Sequence, residues 1–234
     1  MTAEERTEST RRKILNAACE VIAELGFEGV RMRIVATRAE VSSALLHYHF
    51  ENREKLFLAA LRFSFENAGS ASYDSEPPGE HPNTWRLARI IDGCLPIDPE
   101  LRRDFLLWQE LWLRGSRDAD SKALAVVLYG ELRDWAGGAI RDGINAGEFI
   151  ACDVQAVTDL LLALVDGYGI RLVLDDPLLT LDRARSQIWA AVARELGITR
   201  PFPALDNGNA DNGNADNSNA DNSNAQLSRT PTSN

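Results

Sequence analysis

Apolar residues in this 234-residue chain recur at steps of three and four, and no stretch alternates convincingly with period two. That pattern predicts helices throughout and offers no strand from which to build a sheet. Ile14, Ala17, Ala18, Val21, Ile22 and Leu25 share one helical face, and Gly26 follows as the expected C-cap. Met32, Val35, Ala36 and Ala39 repeat the spacing over a shorter span. Val41-Ser42 interrupts it, and Leu46 and Phe50 resume it. Lys55 to Ala68 reads as a fourth helix and Asn83 to Cys94 as a fifth. Asp98-Pro99, a cap followed by proline at the first helical position, opens a sixth that ends near Arg114. Ser121 to Asn145 is a seventh, weakened at Gly137-Gly138 by about 1 kcal/mol per glycine and open to bending there. Asp153 caps an eighth helix to near Leu174, and Leu181 to Leu196 is a ninth, ended by Gly197. The expected fold is all-α. Three short N-terminal helices pack, without a linker, on a body of six longer ones.

Charge is unevenly spread. The chain nets −10, yet its first 62 residues net +1. Bulk attraction to nucleic acid is therefore excluded, and any polyanion partner is expected to meet the first quarter of the chain. Met1 to Thr10 is polar and acidic, which predicts no secretory leader. The longest apolar run, Leu160 to Val165, is too short to cross a bilayer. Cys19, Cys94 and Cys152 lack the spacing of a metal site or disulfide framework, as expected of a cytoplasmic chain. Residues 69–82, rich in Gly, Ser and Pro, read as a loop. From Leu205 to Ala225 a five-residue unit, [LA]-D-N-[GS]-N, repeats four times with no apolar face. Such a composition cannot offset its ordering entropy, so residues 204–234 are expected to form a disordered tail.

Met32 to Phe50 has the form of a short helix, a brief turn and a second short helix. Val41, Leu46 and Phe50 point inward toward Met32, Val35, Ala36 and Ala39. Ser42, Ser43, Ala44, Leu45, His47 and His49 are left mostly outward. A narrow helix face of small and hydrogen-bonding residues can enter a major groove. Arg31 and Arg33 before it, and Arg53 and Lys55 after it, stand where phosphate contacts would position it. The two histidines flanking Tyr48 do not form a metal site. Residues two apart on a helix point about 200° away from each other. His81, beside prolines, could join only one of them. No metal, cofactor or catalytic motif is expected.

The stretch RRKILNAACEVIAELGFEGV, continued by VATRAEVSSALLHYHFENREKLFLAAL, resembles the DNA-binding domain of the TetR family of bacterial transcriptional regulators. Within that family it is similar to the choline-responsive betaine repressor type. The resemblance covers about Arg11 to Arg62 and rests on Ala39, Val41-Ser42, Leu46, Phe50, Lys55 and Leu56. A looser resemblance runs from Ala146 to Leu174, which looks like the start of the family's dimer-forming eighth helix. It implies a homodimer that binds a palindromic operator through two recognition helices and leaves it when a small molecule enters the C-terminal body. The implied DNA-facing residues are Arg31, Arg33, Ser42, Ser43, Ala44, Leu45, His47, Tyr48, His49 and Lys55. Ser43, Ala44 and Leu45 would meet bases, and His47, His49 and Lys55 phosphates. The chain departs from the family pattern at three places. Val30-Arg31 replaces the usual capping Ser or Thr of the second helix. Glu40 replaces the usual turn glycine and should strain the turn. Ile34 occupies a normally polar position.

The implied domains are a helix-turn-helix domain at 8–68, with its motif at about 31–50, and an effector-binding and dimerisation domain at 69–200. Trp85, Trp108, Trp112 and Trp135 all fall on the fifth to seventh helices, and Trp108 and Trp112 share a face. Together with Phe105, Tyr129 and Tyr168 they are candidates to line a cavity, with Gln109, Asp166 and Arg171 as its polar groups. Aromatics beside acids would suit a cationic ligand. Apolar stripes on the last two helices, including Leu161, Leu164, Tyr168, Ile188, Trp189 and Val192, either face a second subunit or cover the monomer's own core. The dimer is the favoured reading. The chain thus reads as a non-enzymatic, ligand-responsive repressor. The alternatives are a helical binding module that has lost its operator, prompted by Glu40 and the missing cap, and a metal-dependent helical bundle enzyme.

Overall fold

The computed structural model describes residues 2–67 and 79–203. Most of the expected loop and all of the expected tail at 204–234 lie outside the described residues. Among those described there are nine helices and no strand: α1 (Ala3–Gly29), α2 (Met32–Arg38), α3 (Ser43–His49), α4 (Arg53–Asn67), α5 (Pro82–Gly93), α6 (Pro99–Gly115), α7 (Ala119–Asn145), α8 (Val154–Val173) and α9 (Leu181–Leu196).

The first helix is not short. Thr2 and Glu5 form a capping box, with the Glu5 amide on Thr2 Oγ1 at 3.1 Å and the Thr2 amide on Glu5 Oε2 at 2.8 Å. Two orphan donors are thereby satisfied, and α1 runs for 27 residues. The regular helix is interrupted at Gly26, as expected, where the backbone leaves helical geometry. At φ +64° Gly26 bends the chain, and one more turn carries on to Gly29. Asp98 and Asp153 cap their helices as expected, and Asp118 and Thr180 do the same for α7 and α9, each accepting the amide three residues on, so that α7 starts two residues before the expected Ser121. The Gly137-Gly138 pair does not break α7, which passes through it as one helix.

Two apolar cores form. The first gathers Ile14, Val21, Ile22 and Phe27 of α1, Val35 of α2, Leu46 of α3 and Phe57 of α4, closed by Leu107 and Leu111 of α6. The second joins Leu87 and Ile91 of α5, Ile140 of α7, Leu161 and Val165 of α8, and Ile188, Trp189, Val192 and Leu196 of α9. Helix α6 therefore belongs partly to the N-terminal core, although it lies in the C-terminal half of the expected domain division. Each of its two fully buried leucines contributes about 1.5–3 kcal/mol by leaving water. Residues Met1–Pro203 form one compact unit, consistent with N-terminal helices packed directly on the body.

The burial pattern corrects the expected dimer stripe. Leu161, Ile188, Trp189 and Val192 are at most 4% exposed because the chain's own second core covers them. They have no surface left for a partner. Only Leu164 and Tyr168 of that set are partly exposed. The outward face of α8 instead carries Ala163, Gly167, Ile170 and Leu174.

One carboxylate fastens the start of α5. Glu148, in the loop after α7, accepts the Asn83 and Thr84 amides at 3.1 and 2.9 Å, and their side chains at 2.6 and 3.1 Å. Burial alone would lift its pKa, but these four bonds outweigh burial and hold it below the usual carboxylate range. A carboxyl lowered by folding contributes stability above its unfolded pKa and loses it as pH falls through the folded one. Glu148→Gln is expected to be less stable than the parent at neutral pH, and to lose less further stability on acidification. Urea unfolding across the acid range measures both.

Candidate nucleic-acid interface and internal cavity

Helix α2 opens at Arg31 with no side-chain cap. The Arg31 guanidinium turns back instead and donates to the carbonyls of Glu28 and Val30 at 2.7 and 3.0 Å. Arg31 is exposed, but it is engaged with the end of α1. Ile34 is half-buried against the first core, which explains an apolar residue there. The turn after α2 closes by two bonds, Glu40 N–H to the Thr37 carbonyl at 3.1 Å and Val41 N–H to the Ala36 carbonyl at 2.9 Å. This is the Schellman closure, which places its C′ residue in the left-handed region. That residue is Glu40, at φ +52°, where glycine would sit without strain. Its carboxylate meets Lys13 of α1 at 2.9 Å, so Glu40 also neutralises a cation. The Lys13 hydrogen bond and charge hold the Glu40 carboxyl below its ordinary range.

Helix α3 is anchored from inside. Leu46 is fully buried, Phe50 is 5% exposed, and Val41 packs on the same core. Ser42 is the N-cap, its Oγ accepting the Leu45 amide at 3.1 Å, which gives this predicted DNA contact a structural task as well. Ser43, Ala44, Leu45, His47 and Tyr48 are exposed, Tyr48 at 77%. His49 is half-buried beside Tyr48 and Phe50. Arg33 and Lys55 are exposed. The Lys55 amide bonds Asn52 Oδ1 at 2.9 Å, which caps α4. Arg53 departs from its expected role. Its guanidinium lies over the Phe27 ring at 4.1 Å and is half-buried. Apart from Lys55, which stands in the first turn of α4, the exposed members of the expected set lie within one helix-turn-helix. Among the described residues no group of three or more His, Cys, Asp or Glu is placed to hold a metal ion.

The cavity, of about 350 Å³, is enclosed by α4, α6, α7 and α8 together with the end of α5. Of the expected lining residues, Phe105, Trp108, Trp112, Tyr129, Trp135 and Asp166 come together there. Trp108 stands 5.3 Å from Tyr129 and 6.3 Å from Trp112, centroid to centroid, and Phe105 meets Trp112 edge-on at 5.9 Å. The others lie elsewhere. Trp85 packs under the Arg89 guanidinium, Gln109 is half-buried away from the lining, Tyr168 hydrogen-bonds Gln187, and Arg171 pairs with Asp176. Phe65, Asp104, Glu131 and Leu132 are among the further residues of the wall. Leu132 and Trp135 follow Tyr129 at helical spacing, a signal present in the sequence. Phe65 and Asp104 carried no such signal, because their contact with the cavity depends on how α4 crosses α6.

One buried carboxyl, Asp104, and one half-buried carboxyl, Asp166, sit in this wall. Burial raises the pKa of Asp104, against the opposing charge of Arg103. Burial also raises that of Asp166, partly offset by the bond it accepts from the Tyr129 hydroxyl at 2.6 Å. The Tyr129 hydroxyl is in turn pushed up by burial and by Asp166. Helix α6 shows a different face to each region. Leu107 and Leu111 enter the core beneath the helix-turn-helix, and Phe105, Trp108 and Trp112 line the cavity.

Comparison with known proteins agrees with this division. A model of bacterial regulatory proteins of the tetR family matches residues 14–60, and one of the C-terminal part of BetI-type transcriptional repressors matches residues 84–197. The HTH-type transcriptional repressor KstR of Rhodococcus jostii is 34% identical over 125 residues, which span 53% of this chain and only 56% of that regulator. The HTH-type transcriptional regulator BetI of Rhizobium meliloti is 27% identical over 169 residues, 70% of this chain and 78% of the other. A crystal structure of a TetR-family regulator from Rhodococcus sp. superposes with a TM-score of 0.70 at 29% identity, covering 80% of this chain and 99% of that one. Two family models meeting on one chain, over a helix-turn-helix joined to a cavity by a shared helix, place this protein in the TetR family of transcriptional regulators.

Proposed function

We propose that this protein is a cytoplasmic homodimeric repressor that binds a palindromic operator through α3 and releases it when a small molecule fills the aromatic cavity. The observation that carries the reading is the two-sided helix α6. It supplies Leu107 and Leu111 to the core that holds the helix-turn-helix and three aromatic walls to the cavity. A ligand that prefers a different packing of Trp108 and Trp112 would shift α6, and with it the recognition helix, by population shift. Arg62 adds a second tie. From α4 it donates to both Glu131 oxygens on α7 at 2.7 Å. No helix among the described residues is long and apolar enough to cross a membrane.

On DNA, Ser43, Ala44, Leu45 and Tyr48 would face base edges, with Leu45 suited to a thymine methyl. His47, His49, Arg33 and Lys55 would bind phosphate, and the capped starts of α3 and α4 would add their amides. The dimer would form on the outward face of α8, where Ala163 and Gly167 let a second helix approach and Ile170 and Leu174 supply apolar area.

Three measurements test the reading. Binding selection with the purified protein is expected to enrich a palindrome. His47→Ala should then weaken binding to all sequences alike, while Leu45→Ala should change the preferred base at one position per half-site. Failure to enrich any palindrome sinks the proposal. Glu40→Gly is expected to raise both the thermal midpoint and DNA affinity, because it relieves the left-handed turn and frees Lys13. A gel-shift titration showing unchanged affinity assigns the turn no part in attenuation, and DNA binding that appears only in the variant favours a chain that has lost its operator. Gly167→Arg is expected to give monomers by sedimentation and to abolish operator binding while α-helical content stays unchanged.

A further inference from the structure

The carboxylates around the cavity are not equivalent. Glu131 is held by Arg62 at 2.7 Å, and Glu66 by the same guanidinium at 3.3 Å. Asp104 is held by Arg103 at 2.9 Å. Asp166 has no cation among the described residues. Its one hydrogen bond is from the Tyr129 hydroxyl to Oδ2, and its Oδ1 accepts none. Among the described residues no Lys, Arg or His lines the cavity. Asp166 is thus an uncompensated carboxyl in an aromatic enclosure, an arrangement that is costly unless a positive charge arrives from outside.

The wall around it is suited to such a charge. Trp108, Trp112 and Tyr129 present ring faces and edges within one cavity, and indole is the best aromatic surface for a cation. A volume of about 350 Å³ also exceeds what a bare ammonium group fills, so a bound molecule needs an apolar body. Each of the other three carboxylates touches an arginine, Glu66 and Glu131 sharing Arg62, so Asp166 is the one carboxylate of the wall with no cation beside it and the point at which an incoming positive charge would be held.

We propose that Asp166 is the counter-ion for a singly charged organic cation, an alkylated or protonated amine carrying a bulky apolar group, with Trp108, Trp112 and Tyr129 packing around it. This rests on the effector cavity of the proposed function and specifies what enters it. Tyr129 positions the carboxylate by occupying Oδ2, leaving Oδ1 for the ligand.

The full-length protein can be titrated calorimetrically with benzyltrimethylammonium, phenethylamine, the uncharged isostere neopentylbenzene, the anion 3-phenylpropionate, tetramethylammonium and 1,4-diaminobutane. One or both aromatic monocations are expected to bind at least about tenfold more tightly than each of the other four, the worth of one desolvated charge pair. Which monocation binds more tightly identifies the head group. Asp166→Asn is expected to lower monocation affinity by about tenfold and to leave neopentylbenzene unchanged. Its thermal midpoint should not fall, because a half-buried uncompensated charge is removed. Trp108→Leu, a second variant outside the charge pair, should weaken the monocations more than the neutral isostere. Equal binding of cation and isostere, tighter binding of the dication or of tetramethylammonium, or an Asp166→Asn variant that binds like wild type would each overturn the proposal. DNA binding measured on the same samples separates the two readings. Intact operator binding without cation selectivity sinks the counter-ion role alone. Cation selectivity without any operator binding sinks the regulator reading and leaves the counter-ion role standing.

Discussion

The structure hinges on Phe27. Its ring is 1% exposed and packs edge-on against Phe57 at 4.8 Å, with the guanidinium of Arg114 above it at 3.5 Å and that of Arg53 at 4.1 Å. Its amide donates to Glu110 at 3.2 Å. One residue thus ties α1, α4 and α6 together through apolar burial, two cation–π contacts and a hydrogen bond to a carboxylate. Desolvated contacts of the cation–π kind reach about 2 kcal/mol each. The joint depends on Gly26, whose φ of +64° turns Phe27 inward. A Cβ at Gly26 would stand 2.9 Å from the Glu110 carboxylate, so this close approach, together with the left-handed backbone, requires glycine.

Because the joint fixes α6, it fixes both surfaces that α6 serves. Packed interiors move between discrete arrangements rather than deforming smoothly. Gly169 of α8 reinforces this. A Cβ there would lie 2.2 Å from the Phe105 ring, so α8 and α6 already touch at the cavity with no slack. A helix held at Phe27 on one side and wedged against α8 on the other can respond to a cavity occupant only by rotating or sliding as a unit. Leu107 and Leu111 would carry that motion into the N-terminal core.

Much of this was legible in the sequence, but unevenly. Helix positions followed from spacing and caps, and the helix-turn-helix followed from Val41, Leu46 and Phe50, because a local motif carries its own packing instructions. The strain at Glu40 came from the resemblance, which puts a glycine at that turn position, and the φ of +52° agrees with it. Gly26 marks an interruption of the first helix, as its position after the apolar run suggests, but the extra turn to Gly29 carries no periodic signal because it is too short to show one. The stripe of Leu161, Ile188, Trp189 and Val192 was misassigned to a partner because periodicity reveals that a face is apolar and not what covers it. At the cavity, Trp108 and Trp112 were found by shared spacing. Asp104 was not, since its role arises from the crossing of two helices distant in sequence.

The same distinction between having a charge and having it free governs the DNA face. The N-terminal segment carries many cations, but its geometry commits several of them. Lys13 is paired with Glu40, Arg38 with Glu20 and Glu24, Arg31 with the end of α1, and Arg53 with Phe27. Each phosphate a protein neutralises adds about 0.9 to the steepness with which binding falls with salt. A face with few uncommitted cations, chiefly Arg33 and Lys55, gains little from that sequence-independent term. On the proposed interface, affinity would come instead from helix N-termini and from the neutral residues Ser43, Ala44, Leu45 and Tyr48. On that proposal the chain would bind non-specific DNA weakly and give more of its binding energy to sequence, which would suit a protein with a net charge of −10 that must find one site among many.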